Sequence, residues 1–349
     1  MAPPYFLQTN QTLLVSGDRG TANCIYAFGF YWFFNFENAV NSVRCYKIHP
    51  RLGLIVSTAV RVTGGVAAGS FLYTGANAVY VVASFRRSDG NTYLLRIDPS
   101  NFPGGGITQS ATFGILGTGN PYHVATTPDG HIWTNFNSVR RIDPVLLVVV
   151  ATVAGTLGVG GGICYDNING FIWATGGTGN PTVIWKIDPA TNAVVDNITL
   201  LGSTFNDICF AFGSLWVGFS VGNIKRYNPV TKALIADIPI QIGAGASQID
   251  NDKGFIAIVN NIGPPPQLQI IDPRNNTTIQ TGTYGARVTL YPAAEGSPGG
   301  VSGNKDNRGF LQTNQSNYFG LADYGYAFVE GQPDAKNIYL GTKPKTRYK

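Results

Sequence analysis

The chain has 349 residues, 44% hydrophobic and only 12% charged, with a formal net charge of +5. It can therefore bury a large core, but it carries about half the usual share of charge and no basic stripe of the kind a nucleic-acid partner requires. Forty-four Gly and 20 Pro, with Glu only at Glu37, Glu295 and Glu330, exclude long helices, and no run of apolar residues is long enough to span a membrane as one.

Met1 to Gln8 has neither a basic nor an apolar leader segment, so no secretory signal is expected and synthesis in the cytoplasm is. Thr12 to Val15 read as a strand standing ahead of the first repeat. From about residue 20 a unit of about 45 residues recurs six times. Early in each unit comes a glycine turn and then a large residue: Gly29-Phe-Tyr-Trp32, Ala78-Val-Tyr80, Gly130-His-Ile-Trp133, Gly170-Phe-Ile-Trp173, Gly213-Ser-Leu-Trp216 and Gly254-Phe-Ile-Ala257. Four of the five tryptophans thus share one place in the repeat, which points to packing between neighbouring units rather than to a ligand platform. Later in each unit comes a turn signature: Tyr46-Lys-Ile-His-Pro50, Arg96-Ile-Asp-Pro99, Arg141-Ile-Asp-Pro144, Lys186-Ile-Asp-Pro189, Arg226-Tyr-Asn-Pro229 and Ile270-Ile-Asp-Pro273. Asp or Asn caps such a turn through its side chain, and Pro sets φ at its second position. The segments that follow, such as Leu146 to Val150, Ala193-Val-Val, Ala233-Leu-Ile and Thr277-Thr-Ile, read as outer strands.

The stretches Asn101 to Gly106 and Pro292 to Gly303 read as projecting loops. Residues 283–349 hold a degenerate further copy, in which Asp306 to Thr313 keeps the glycine-apolar pattern and Tyr326 to Val329 and Asn337 to Leu340 are candidate strands. The hexapeptide Phe6-Leu-Gln-Thr-Asn-Gln11 returns as Phe310-Leu-Gln-Thr-Asn-Gln315, either as paired strands of a closing unit or as a docking element used twice. The period predicts an all-β fold: one β-propeller domain over 1–349 with seven four-stranded blades, the last shared by the N- and C-termini, which leaves no open sheet edge. The tail Lys343, Lys345, Arg347 and Lys349 reads as a solvated end.

Residue types suited to chemistry are sparse. Cys24, Cys45, Cys164 and Cys209 form no C-x-x-C pair and read as reduced core residues. No nucleophile elbow, phosphate loop or calcium loop occurs. Sequons at Asn10, Asn197, Asn275, Asn276 and Asn314 carry little weight without a leader.

The segment Thr127-Pro-Asp-Gly-His-Ile-Trp-Thr-Asn135 with Arg140 to Pro144, and Trp185-Lys-Ile-Asp-Pro-Ala-Thr-Asn-Ala-Val-Val195, resemble blades of YVTN/NHL-type propellers, closest to the streptogramin-lyase-like branch. The resemblance covers roughly residues 20–282 and speaks to fold. It also implies, for the lyase members, metal-supported His and Glu chemistry in a central funnel. Of His49, His123 and His131, only His123 falls where a funnel residue belongs, and no Glu lies beside a matching motif. The expectation is therefore a non-catalytic structural or interaction propeller with no catalytic, cofactor or metal site. Its expected place is a virion, in a bacteriophage tail or surface appendage. Its partners are then other structural proteins of the assembly, met through the termini. The alternatives are a lyase- or lactonase-like metal-dependent enzyme built on His123 and an extracellular adhesin or glycan binder.

Overall fold

The computed structural model describes residues 8–14, 24–37, 42–48, 55–62, 73–86, 91–110, 124–136, 138–156, 162–176, 182–200, 205–219, 222–240, 248–252, 255–260, 267–283, 287–289, 308–312 and 318–323. The chain is all-β: among the described residues the only helical piece is a single 3-10 turn at Pro99–Asn101.

The described strands form seven four-stranded antiparallel sheets. Strand β1 (Gln8–Leu14) stands alone at the start of the chain. The first sheet is the meander β2 (Cys24–Ala27), β3 (Phe30–Glu37), β4 (Ser42–Ile48) and β5 (Ile55–Val62). The second is β6 (Tyr73–Ala76), β7 (Val81–Arg86), β8 (Thr92–Ile97) and β9 (Thr108–Gln109). The third is β10 (Val124–Thr126), β11 (Ile132–Phe136), β12 (Ser138–Asp143) and β13 (Val148–Thr152), and the fourth β14 (Ile163–Asp166), β15 (Phe171–Gly176), β16 (Thr182–Asp188) and β17 (Ala193–Leu200). The fifth is β18 (Phe205–Ala211), β19 (Ser214–Phe219), β20 (Ile224–Tyr227) and β21 (Leu234–Ile238), and the sixth β22 (Gln248–Asp252), β23 (Phe255–Asn260), β24 (Gln267–Asp272) and β25 (Thr277–Thr283). The seventh takes β26 (Arg287–Thr289), β27 (Arg308–Gln312) and β28 (Tyr318–Asp323) from the far end of the chain and β1 from the near end, in the order β26-β27-β28-β1.

Burial follows strand position. Strands β14 and β19 are buried throughout, as continuous apolar strands covered on both faces must be. Fourth strands such as β13 and β17 alternate between exposed and half-buried residues, the period-2 pattern of a strand with one free face.

The turn signature closes the hairpin between the third and fourth strands. In the third sheet Asp143 Oδ1 accepts from the Val145 and Leu146 N–H groups at 2.7 and 2.9 Å, and Leu147 N–H donates to Asp143 O at 2.9 Å. Leu147 takes φ 56°, and Asn192, Lys232 and Asn276 take φ 56°, 62° and 60° at the same turn position. Each turn is followed by a register shift of one residue, between Arg141 and Ile142 in the third sheet and between Lys186 and Ile187 in the fourth. Such a bulge is what a left-handed residue at the turn exit produces.

The first strands of the first six sheets stand next to one another in chain order, β2 beside β6, then β10, β14, β18 and β22. Five buried apolar clusters lie among the described residues, and each straddles two consecutive sheets. Trp32, Trp133, Trp173 and Trp216 are wholly buried in these layers, as expected of residues that pack one repeat on the next. Trp185 is also buried and lies flat over Gly176, where a β-carbon would stand only 1.8 Å from its ring.

Two expectations need correction. Strand register pairs Trp32 with Lys47, Trp133 with Arg141, Trp173 with Lys186 and Trp216 with Arg226, but it pairs Val82, not Tyr80, with Arg96. Tyr80 therefore stands two residues before the tryptophan position, just after a turn that Asn77 caps through the Val79 and Tyr80 N–H groups. The stretch Asn101 to Gly106 does not project as a whole, because Phe102 folds back edge-on to Trp32, with ring centroids 5.2 Å apart.

In the seventh sheet, β28 pairs with β27 on one side and β1 on the other. The described parts of the two hexapeptide copies, 8–11 and 310–312, therefore flank one strand instead of pairing with each other. The third strand of this sheet, Tyr318–Asp323, lies upstream of the segments Tyr326 to Val329 and Asn337 to Leu340. Those segments and the Pro292 to Gly303 loop lie outside the described residues.

Candidate functional site

In a four-stranded meander the hairpins joining strands one and two, and three and four, lie at the same end of the sheet. The features that recur from sheet to sheet gather at this end.

The basic residue of the turn signature sits here, on the third strand, across from the buried tryptophan. Arg226 Cζ lies 4.9 Å from the Trp216 ring centre and Arg141 Cζ 5.8 Å from that of Trp133. Lys186 Nζ is 3.9 Å from the Phe171 ring and 5.6 Å from Trp173, and Lys47 Nζ is 4.2 Å from Phe30 and 5.4 Å from Trp32. Arg96 lies 4.7 Å over Tyr80. Each such contact contributes about 0.5–2 kcal/mol, more as it is desolvated.

The arginines reach further, to the next sheet. Arg141 Nη1 donates to Pro189 O at 3.1 Å and to Asn192 Oδ1 at 3.3 Å. Arg226 Nη1 donates to Pro273 O at 2.5 Å and to Asn276 Oδ1 at 2.9 Å. Arg96 Nη1 donates to Pro144 O at 2.9 Å and also to Val145 O. In each case the acceptor is the Asp-Pro turn of the following sheet. The two repeat signatures are thus one device: aromatic, cation, and the neighbour's turn.

The residue two before the tryptophan position, unremarked in the repeat pattern, is its third member. Phe30, Tyr80, His131, Phe171 and Ser214 occupy it, and each touches its sheet's cation. Lysine occurs where two rings face the cation, Phe30 with Trp32 in the first sheet and Phe171 with Trp173 in the fourth. The signal was in the sequence: strand alternation puts residues i and i−2 on one face.

His131 enters a polar cluster built on this device. Its Nδ1 lies 3.1 Å from both Asp129 Oδ2 and Arg141 Nη2, and Arg141 Nη2 donates to Asp129 Oδ2 at 2.5 Å. Burial pushes the Asp129 carboxyl up, but the Thr127 hydroxyl, the His131 backbone N–H and the charges of His131 and Arg141 outweigh it and hold the carboxyl below its ordinary value. Asp272 is likewise held low, chiefly by the hydrogen bond from Arg274, with Nη2–Oδ2 at 2.6 Å. Burial and the nearby Asp237 push the Tyr227 phenol up to about 12.

At the tips of the hairpins between strands one and two, apolar side chains face outward: Phe28, Val79, Ile168 and Phe212. Phe28 and Phe212 hold φ of 54° and 52°, a left-handed conformation that costs a non-glycine residue roughly 1–2 kcal/mol.

His49 and His123, and with them the funnel candidate, lie outside the described residues, as do Glu295 and Glu330. Cys45, Cys164 and Cys209 are buried and stand outside any disulfide; the side chain of Cys24 is outside the described set. Among the described residues no three His, Cys, Asp or Glu side chains gather at metal-binding distance, and no helix is long and apolar enough to cross a membrane. Compared with models of known protein families and with characterised proteins, the chain matches none.

Proposed function

We propose that the chain is a seven-bladed β-propeller of YVTN/NHL type, closed by its own termini, that serves as a non-catalytic structural component of a multiprotein assembly. Closure is supported by the side-by-side succession of first strands and by the seventh sheet drawn from both chain ends. One observation carries the assembly reading: the outermost strands leave Val148, Val150, Val195, Leu234, Ile235 and Ile279 exposed, on a chain that is only 12% charged. Unpaired, apolar outer strands are an aggregation hazard on a free protein and are tolerable where neighbours cover them. The abundance of Gly, Asn and Thr and the low charge favour a viral particle, in a bacteriophage tail or surface appendage.

The test is density-gradient fractionation of the source culture, following the chain by mass spectrometry. Sedimentation with particles at fixed stoichiometry is the expected result. Recovery only as a soluble single chain overturns the reading.

A further inference from the structure

Two-residue hairpins with φ positive at both positions strongly favour Asn-Gly or Asp-Gly. The first and fifth sheets instead turn on Phe28-Gly29 (φ 54° and 77°) and Phe212-Gly213 (φ 52° and 67°). Neither ring serves the core, since Phe28 is 36% exposed and Phe212 43%. A bulky ring in left-handed backbone is a worse turn residue than Asn, and each of these residues leaves more than a third of its surface to solvent. Local conflicts of this sort mark positions kept for something outside the fold.

The neighbouring tips extend the same surface. The Ile168 side chain approaches the Gly213 tip, coming within 3.9 Å of where a β-carbon there would stand. Asn77 Nδ2 donates to Gly130 O at 2.6 Å, joining the tips of the second and third sheets. Val79 and Ile168 are both exposed on this rim. Two tip carboxylates are already engaged: Asp129 is paired with Arg141, and Asp166 accepts from the Ile168 and Asn169 N–H groups and from Asn169 Nδ2. Behind the tips, the signature cations alternate with the carboxylates of Asp98, Asp143, Asp188 and Asp272. A surface without a dominant sign selects neither an acidic nor a basic partner, and an apolar, charge-balanced patch is complementary to itself.

We propose that this rim is where two copies of the chain meet, hairpin end against hairpin end, with Phe28 and Phe212 of each as the anchoring side chains. The contact is isologous, the same patch serving both copies. It rests on the reading of the chain as an interaction module and adds one partner to it, whether or not the assembly is a viral particle.

The experiment is analytical ultracentrifugation of the purified full-length chain over a range of concentrations, beside the Phe28→Asn/Phe212→Asn double variant and Ile168→Asp. The wild type is expected to form a dimer. The double variant should weaken it at least about 30-fold, the loss of a single strong anchor. Its melting temperature at a concentration where both proteins are monomeric should hold or rise, because Asn-Gly suits the turn. Ile168→Asp, at an exposed position of ordinary backbone, places like charges on the facing rims and should also dissociate the dimer. A wild type that is monomeric at every concentration overturns the proposal. So does a dimer indifferent to both changes, and either result leaves the particle reading to its own sedimentation test.

Discussion

At the residue scale the buried tryptophans are alike in place but not in bonding. Trp32 Nε1 donates to Ala27 O at 2.9 Å, Trp216 Nε1 to Ala211 O at 3.1 Å and Trp133 Nε1 to Thr127 Oγ1 at 3.2 Å, each pinning the hairpin that precedes it. Trp173 Nε1 is buried with no hydrogen-bond partner; at its hairpin Asp166 O accepts from the Gly170 N–H, and the Asp166 carboxylate from Ile168 and Asn169. Trp173→Phe is therefore expected to cost less stability than Trp133→Phe or Trp216→Phe, by about 1 kcal/mol. Denaturant melts of the three variants check the order.

The carboxyls of Asp129 and Asp272, held below the ordinary 3.8, also set an acid limb. A depressed folded pKa gives stability that is complete above the unfolded value and is lost as pH falls through the folded one. Melting temperature should thus drop as pH falls below about 4, and Asp272→Asn should flatten that fall. On the alkaline side the Tyr227 phenol, raised to about 12, gives stability that is lost as pH rises from its ordinary 10 toward that value. Tyr227→Phe should remove that part of the alkaline loss in the same melts.

At the scale of the element, the sixth sheet is the informative exception. Register places Ala257 opposite Ile270, the positions that hold the tryptophan and the cation in the first, third, fourth and fifth sheets. Both members of the device are gone together. The sheet that follows in the chain offers no turn to receive an arginine, since its third and fourth strands, β28 and β1, come from opposite chain ends. Ile270→Arg should accordingly destabilise the protein by about 1–3 kcal/mol, the cost of burying a polar group without a partner, read as a lower urea midpoint. Arg226→Met should lose a similar amount for the converse reason, since its acceptors on the Pro273 turn are left unpaired.

At the scale of the whole molecule, the seventh sheet joins residues more than 300 positions apart by main-chain pairing, Gln8 with Asp323 and Leu14 with Tyr318. Removing residues 1–14 leaves one edge of β28 unpaired, an exposed template for other chains. The truncated protein should melt lower and aggregate on heating, and a synthetic peptide covering residues 5–15 added in trans should restore part of the loss. Light scattering during a thermal ramp, with and without peptide, reads both effects. An unchanged melt would mean that β1 contributes nothing to holding the chain together.

The strand-rich class, the period, the capped Asp-Pro turns and the burial of the tryptophans were legible in the residue pattern, because each depends on local geometry: side-chain alternation, a turn's φ, a repeat length. So was the sharing of one sheet by the two termini, since a strand ahead of the first repeat has only the last repeat to complete. That Arg96, Arg141 and Arg226 spend their charge on the next sheet's turn emerged with the folded chain. The same holds for Tyr80 standing two places from the tryptophan column and for the outward-facing Phe28 and Phe212. Those facts depend on register between strands and on which surface a neighbouring sheet covers, and both are set by contacts between segments that a local pattern does not contain.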